Sequence, residues 1–470
     1  MKLSRIALPV IAVLGIGAVG GSWYTGKLAE EKYIELVELG NHNLKGLAAY
    51  GIEAQIKEVK LVRHFFSSDV NYILEAKYAG QSYVFNGNDK LYHGPFPINR
   101  LSKGNIVPVM MSTENKLSVS ENLKVLFNNQ DEVLTGQANI GYAGDVSGNF
   151  DTKALKLADD SFSVSETKSE YEYDKSGNGK VKVSVPFIKG HDSESGIRYD
   201  LGDSEIVTSF IGDKTYSYLG LGEYDFKAKS FVLYNESEKQ NIALKDMTSK
   251  GKNSVKDNRF HSVGDFSAQV EEVRPEEAKA VNWGKVSLDL AFESDAKLTN
   301  DMMPYFADSE KAESPEAMKA LEDVVTNDLK LHIKPLAFEN AKGKNEFTLV
   351  LNLAKFNPND LKEMDDMLTV FKQSVLDVKL NLASLEELNT QVKMTRDNVS
   401  RESAEQESKL MVNELVNQAK SGGVAVVDSE SIKMNLAIDN GKVTLNGREV
   451  PQEEIQNALF MLMLGLGSMQ

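Results

Sequence analysis

The chain contains no cysteine, which excludes disulfides, thiolate metal sites and a cysteine nucleophile in any compartment and leaves stability to the hydrophobic core. Histidine is scarce. The six (His42, His64, His93, His191, His261 and His332) show no H-x₃-H spacing on a helix, so no zinc site is predicted. Basic residues are in deficit: 53 Lys and Arg stand against 69 Asp and Glu, a net charge of −16 with a pI near 5.1. That balance argues against nucleic acid or anionic headgroups as broad electrostatic partners and leaves room only for a local basic patch. Catalytic signatures are missing as well. No G-x-S-x-G or Walker-type loop occurs, and Gly220-Leu221-Gly222 lacks a third glycine at Asp225, which removes the dinucleotide reading. Asp174, Ser176, Asn178 and Gly179 imitate half of an EF-hand loop, but its twelfth position is Val185 where a bidentate Glu is needed, so a hairpin turn is expected. Acidic pairs such as Asp365-Asp366 and Glu386-Glu387 read as solvated helix surface. No cofactor is implied.

What is present begins at the N-terminus. Ile6 to Thr25 is a run of twenty uncharged residues, long enough as a helix to cross a bilayer core of roughly 30 Å. Lys2 and Arg5 precede it, and Trp23 and Tyr24 fall where an outer aromatic belt would lie. By the positive-inside rule the N-terminus is cytoplasmic and the bulk of the chain lies outside. A cleaved signal peptide is the rival, with Ala18-Val19-Gly20 as cutting site. The run exceeds the usual apolar segment of such a peptide, which favours the uncleaved anchor. No cysteine follows it, so a lipoprotein is excluded. Gly17 and Gly21 form a small-xxx-small pair beside Ala18 and Ser22, a pattern through which two such helices can approach closely. It is a candidate dimer contact.

At 470 residues with 41% hydrophobic and 26% charged side chains, the chain is a folded protein of two to four domains. Residues 1–26 read as cytoplasmic stub and anchor, 27–52 as a juxtamembrane helix, 53–300 as a β-rich body and 301–470 as an α+β part. Strands are expected from Ile56 to Tyr92, turning at Gly80 and Asn86-Gly87. His93-Gly94-Pro95-Phe96-Pro97 follows, a corner where two prolines remove ladder donors; Phe96 is expected to plug the core. From Leu117 to Phe292, short β-like runs alternate with turn clusters, as in a sandwich, an open barrel or an elongated curved sheet. Then the pattern changes. Ser314-Pro315 and Asn357-Pro358 open helices, Leu385 to Ala419 is helical up to Gly422-Gly423, and Asn440-Gly441 turns a hairpin. The chain closes on a helix, Leu459 to Leu464, that is apolar almost all round. It needs a cover, either the chain's own core or a second copy meeting it through Leu459 and Leu462.

The basic start with its single span, the strand into the His93 to Pro97 corner, and the hairpin Gly441-Lys442-Val443-Thr444-Leu445-Asn446-Gly447-Arg448 together resemble the YdgA/YihF family of Gram-negative bacteria. The resemblance implies a protein held in the inner membrane through residues 6–25 with a periplasmic body. It supplies no catalytic residues. The function expected is non-enzymatic binding of an envelope protein or an apolar ligand, with a homodimer as one assembly. Lipid transport in the manner of AsmA-like proteins and hydrolysis of cell-wall or lipid material by acidic residues are the alternatives.

Overall fold

The computed structural model describes residues 52–451 except 79–80, 94, 128, 158–159, 194, 214, 238–239, 275–278, 307–310, 398 and a few side chains, together with Asn41, Leu44 and Glu454. The span Ile6 to Thr25, the pair Gly17 and Gly21, and the helix carrying Leu459 and Leu462 lie outside the described residues. Among the described residues, no helix is long and apolar enough to cross a membrane. The fold is antiparallel, β-rich and carries some helices. It divides into two compact units, residues 1–241 with 305–313, and 242–304 with 314–470. The shift of composition near 300 therefore falls inside the second unit, where helices first follow the long strands.

The first unit is a meander of β1 (Ile52–Arg63), β2 (Ser67–Tyr78), β3 (Gln81–His93), β4 (Met111–Val119), β5 (Glu132–Ile140) and β6 (Val146–Thr152). It continues through two short strands, β7 (Leu155–Lys156) and β8 (Phe162–Val164), to β9 (Thr167–Tyr173) and the long β10 (Gly179–Asp192), β11 (Ile197–Phe210) and β12 (Gly222–Asn235). Each of β1 to β5 pairs with its successor, β6 pairs with β9, and β9 through β12 pair in turn. β8 prolongs the line of β9 beside the far end of β10. Alternation decides what is inside on β3, where Tyr83, Phe85, Asp89 and Leu91 are buried between exposed or half-buried neighbours, and Met111, Leu117, Leu134 and Ile140 of β4 and β5 join them in the core. A 3₁₀ stretch, Glu121–Phe127, adds Leu123 and Phe127 to this core.

Two expectations for this unit change. Asn86-Gly87 is not a turn. It lies within β3, where Gly87 faces Tyr72 of β2 and the tyrosine ring covers it: a Cβ on Gly87 would sit 2.1 Å from Tyr72 Cζ. The expected short runs are also longer than the hydrophobic pattern suggests, since β10, β11 and β12 have 14 residues each. Both faces of these strands are only half-buried, which weakens alternation as a signal.

The second unit starts with most of β13 (Gln240–Lys256), then β14 (Arg259–Arg274) and β15 (Lys279–Asp295). Further strands are β16 (Lys330–Asn340), β17 (Gly343–Asn352), β18 (Ser374–Asn381), β19 (Val426–Val427), β20 (Ser431–Asp439), β21 (Lys442–Leu445) and β22 (Arg448–Glu449). From β14 to β18, neighbours in sequence pair; β18 then pairs with β20, and β20 with β19 and β21. In the first unit, a one-turn helix α1 (Ile98–Leu101) follows the proline corner. The second unit has most of α2 (Ala296–Phe306), then α3 (Pro315–Val325), α4 (Met364–Thr369), α5 (Leu382–Val392) and α6 (Arg401–Ser421). Ser314 caps α3 by accepting from the Ala317 amide at 3.1 Å. Asn357-Pro358 opens only a 3₁₀ turn, and α4 starts later with a capping box between Glu363 and Asp366. Small residues let α5 and α6 approach closely: Ala404 and Ser408 are fully buried, and Ser408 Oγ accepts from Asn389 Nδ2 and Thr390 Oγ1, each at 3.0 Å.

Candidate binding face

The sequence-predicted corner is held by hydrogen bonds at its base. The His93 amide donates to the Phe66 carbonyl at 2.9 Å, and His93 Nε2 lies 3.1 Å from Ser68 Oγ. Partial burial, with Arg63 nearby, pushes the imidazole pKa down against the opposing hydrogen bond to Phe65, which favours the neutral ring. Phe96 does not plug the core. It is 51% exposed, and Pro97 is the buried residue of the corner. The short helix that follows turns Asn99 inward, where it donates to Ser112 Oγ at 3.0 Å; the phenylalanine, three positions earlier, is left on the outer side.

The hairpin expected at Asp174 is present. Asp174 Oδ1 accepts from the amides of Ser176 and Asn178 at 2.7 and 3.1 Å, and these bonds, with one from the Asn178 side chain, hold the Asp174 pKa below the usual carboxylate range. The loop is a closed turn whose carboxylate is spent on its own backbone.

Inside the core sits a group that sequence reasoning missed. Asp89 occupies the inward register of β3 between Gly87 and Leu91, is 3% exposed, and faces Asn115 on β4. Neither carboxylate oxygen has a donor at good hydrogen-bonding geometry, so burial dominates and raises the pKa to about 8; the Asn115 side chain and Lys116 amide only moderate it. Burial first, and Asp89 second, also raise the Tyr72 phenol well above its usual value. The signal was present in Tyr83, Phe85, Gly87, Asp89 and Leu91, an alternating series with one carboxylate on its apolar side.

Beyond this core, β10, β11 and β12 extend as a sheet with rungs whose members share one face, since cross-strand partners in an antiparallel ladder point the same way. The rungs run Val181, Thr208, Tyr224; Val183, Ile206, Phe226; and Val185, Ser204, Ala228. Val181 and Val185 abut the closed core, while Ile206 and Tyr224 are exposed and Phe226 is half-buried.

Past Pro186 and Asp203 the facing changes: Ile188 packs against the same core as Val181 and Val185, and Ile188 and Gly190 pair with the buried core residues Val164 and Phe162, so the apolar face continues through the rung Ile188, Leu201, Phe231. The rungs Lys189, Asp200, Val232 and His191, Arg198, Tyr234 lie on the opposite, outer face and border a cleft of about 490 Å³. Lys156 and Asp160 close its side. Lys189 pairs with Asp200 at 3.0 Å, Lys156 with Asp160 at 2.7 Å, and Arg198 with Glu236 at 2.5 Å while stacking over Tyr234. Before the break, Lys182 and Glu205, paired at 2.8 Å, lie on that outer face. The break in alternation falls at Pro186, which has no ladder donor, and Asp203, whose φ is +44°. Each carboxylate bordering the cleft is tied to a lysine, so neither is placed as a proton donor for hydrolysis. Among the described residues, no cluster of three His, Asp or Glu side chains is arranged to hold a metal.

These features define a class: a largely antiparallel β protein with a closed hydrophobic core that opens into an apolar sheet face. The chain belongs to the family described as "Bacterial protein of unknown function (DUF945)", which matches residues 1–453. It is 24% identical to Protein YdgA of Escherichia coli (strain K12) over 501 aligned positions, covering 98% of this chain and 97% of that protein, so the YdgA resemblance holds. An uncharacterized protein of Haemophilus influenzae is 29% identical over 174 residues, 37% of this chain and 47% of its own. A second one from that organism is 26% identical over 142 residues, 30% of this chain and 86% of its own. No solved structure matches the chain.

Proposed function

We propose that the protein is a non-enzymatic envelope protein, anchored in the inner membrane through residues 6–25 with its body in the periplasm, that binds an amphiphile on the open face of β10 to β12. The observation that carries this reading is the apolar face that continues beyond the closed core: Val183, Ile206 and Phe226 before Pro186, and Ile188, Leu201 and Phe231 after it, with Ile206 exposed. An acyl chain can lie on this bed while its headgroup stays in water. Binding of this kind would precede any transport of lipid.

The test is to purify the full chain, extract it with organic solvent and quantify lipid by mass spectrometry. The expected result is about one phospholipid per chain, lost in Ile206→Asp and Phe226→Asp variants whose circular dichroism is unchanged. Lipid-free protein that also fails to take up a fluorescent phosphatidylethanolamine overturns the reading.

A further inference from the structure

The far rim of the first unit carries a second feature, independent of the sheet face. The turn between β1 and β2 and the connection between β3 and β4 lie side by side: the His93 amide donates to the Phe66 carbonyl at 2.9 Å, and the connection is closed on itself by Val109 N donating to the Pro95 carbonyl at 3.0 Å. From this rim the side chains of Phe65, Phe66 and Ile106 project into solvent, 86, 68 and 73% exposed, with Phe96, Ile98 and Val107 beside them. The Phe65 and Phe66 rings stack edge to face at 4.5 Å, so they stand out as one unit. The connection is stiffened by Pro95, Pro97 and Pro108 and by Arg100, whose guanidinium bonds Asn105 Oδ1 at 2.9 Å and the Val107 carbonyl at 3.2 Å. Apolar side chains presented together on rigid loops mark an interaction site.

Charge identifies the partner. In a chain with a net charge of −16, residues 59–68 and 93–113 contain Lys60, Arg63, Arg100 and Lys103 and no Asp or Glu. Of the acids that flank these stretches, Asp69 pairs with His64 at 2.9 Å and Glu114 accepts from the Tyr92 hydroxyl at 3.0 Å, while Glu58 stands on β1 five residues before Arg63. Aromatic and aliphatic tips ringed by Lys and Arg match the boundary between acyl chains and anionic headgroups. The tips protrude at strand ends. We propose that this rim docks onto the surface of a bilayer rich in anionic phospholipid and inserts Phe65, Phe66 and Ile106 among the headgroups.

The absence of cysteine makes the test direct. The full chain carrying Phe65→Cys or Ile106→Cys is labelled with an environment-sensitive fluorophore and mixed with vesicles of phosphatidylcholine alone or with phosphatidylglycerol, some containing doxyl-labelled lipid. Asn71→Cys, on an exposed position of β2, serves as control. The expected result is a blue shift and doxyl quenching at positions 65 and 106, absent at 71, that grows with the phosphatidylglycerol fraction. Adding Arg63→Glu and Lys103→Glu should weaken insertion about fivefold for each charge lost, with circular dichroism unchanged. Absence of quenching in every bilayer overturns the proposal. So does a blue shift that appears without vesicles and rises with protein concentration, because a second copy of the chain would then be the occupant.

Discussion

At the scale of the residue, Asp89 makes the sharpest prediction. Its carboxyl keeps its proton up to about pH 8 in the folded chain, whereas the unfolded chain releases it near the ordinary Asp value of 3.8. Between those limits the native state binds one more proton than the unfolded state, so stability falls as pH rises. The contribution is complete below about pH 4, is lost progressively up to about pH 8, and changes no further above that. The steepest slope is about 1.4 kcal/mol per pH unit. Asp174 and Asp428, whose pKa values are depressed by their hydrogen bonds, act in the opposite sense at acid pH. The difference between wild type and Asp89→Asn isolates the buried group. Urea unfolding at pH 5 and pH 8 should show the Asn variant gaining on wild type by up to about 4 kcal/mol across that interval. A difference independent of pH would mean that Asp89 is ionised in the fold.

At the scale of the element, three strand pairs solve the same problem in one way. Gly87 lies opposite Tyr72, Gly148 opposite Tyr171, and Gly190 opposite Tyr199, and in each pair the tyrosine ring occupies the space above the glycine. A glycine within a strand leaves a gap, and a folded-down aromatic fills it. The consequence depends on whether the ring can move away. Tyr72 is buried, so in Gly87→Ala the new Cβ meets a ring held by the core, and an overpacking loss of about 1–3 kcal/mol is expected. Tyr199 is only half-buried, and Gly190→Ala should cost less than about 1 kcal/mol because solvent borders its ring where the core borders that of Tyr72. Equal losses in urea unfolding would show that glycine's backbone conformation, rather than the ring above it, sets the cost. These pairs explain what the sequence could and could not disclose. Asn440-Gly441 and Asn86-Gly87 are the same dipeptide, yet the first is a hairpin turn with φ of +49° and +85°, and the second is strand. The local signal is identical, and a tyrosine fourteen residues or more away in the chain decides the outcome. Likewise Val181, Val183 and Val185 alternate legibly within one strand. Their partners Ile206 and Phe226 arrive only through pairing register, so the binding face could not be assembled from spacing. Proline and capping signals are local, and Ser314-Pro315 and the His93 to Pro97 corner were legible for that reason. The depth of Phe96 was not, because it depends on which way the following helical turn rotates Asn99.

At the scale of the whole molecule, the −16 net charge and the basic rim act on an anionic bilayer with opposite sign and different range. The net charge belongs to the entire chain and is felt at long distance, whereas Lys60, Arg63, Arg100 and Lys103 matter only close to the surface. Ionic strength separates the two. At 0.01 M salt the screening length is about 30 Å, so the excess of carboxylates on the rest of the body is felt by the membrane and opposes approach. At 0.1 M it falls to about 10 Å, which screens the distant acids but leaves the rim's cations in range of the headgroups. At 1 M it is about 3 Å, and the rim's attraction is screened as well. Doxyl quenching of the label at position 65 should therefore rise between 0.01 and 0.1 M salt and decline by 1 M, with the residual signal carried by the apolar tips. A basic protein, or one attracted only through its rim, would decline steadily across the whole range. A steady decline would thus show that the acidic body stays beyond electrostatic reach of the membrane, and a signal indifferent to salt would assign the docking to Phe65, Phe66 and Ile106 alone. Only the maximum at intermediate salt requires both the local basic patch and the acidic whole.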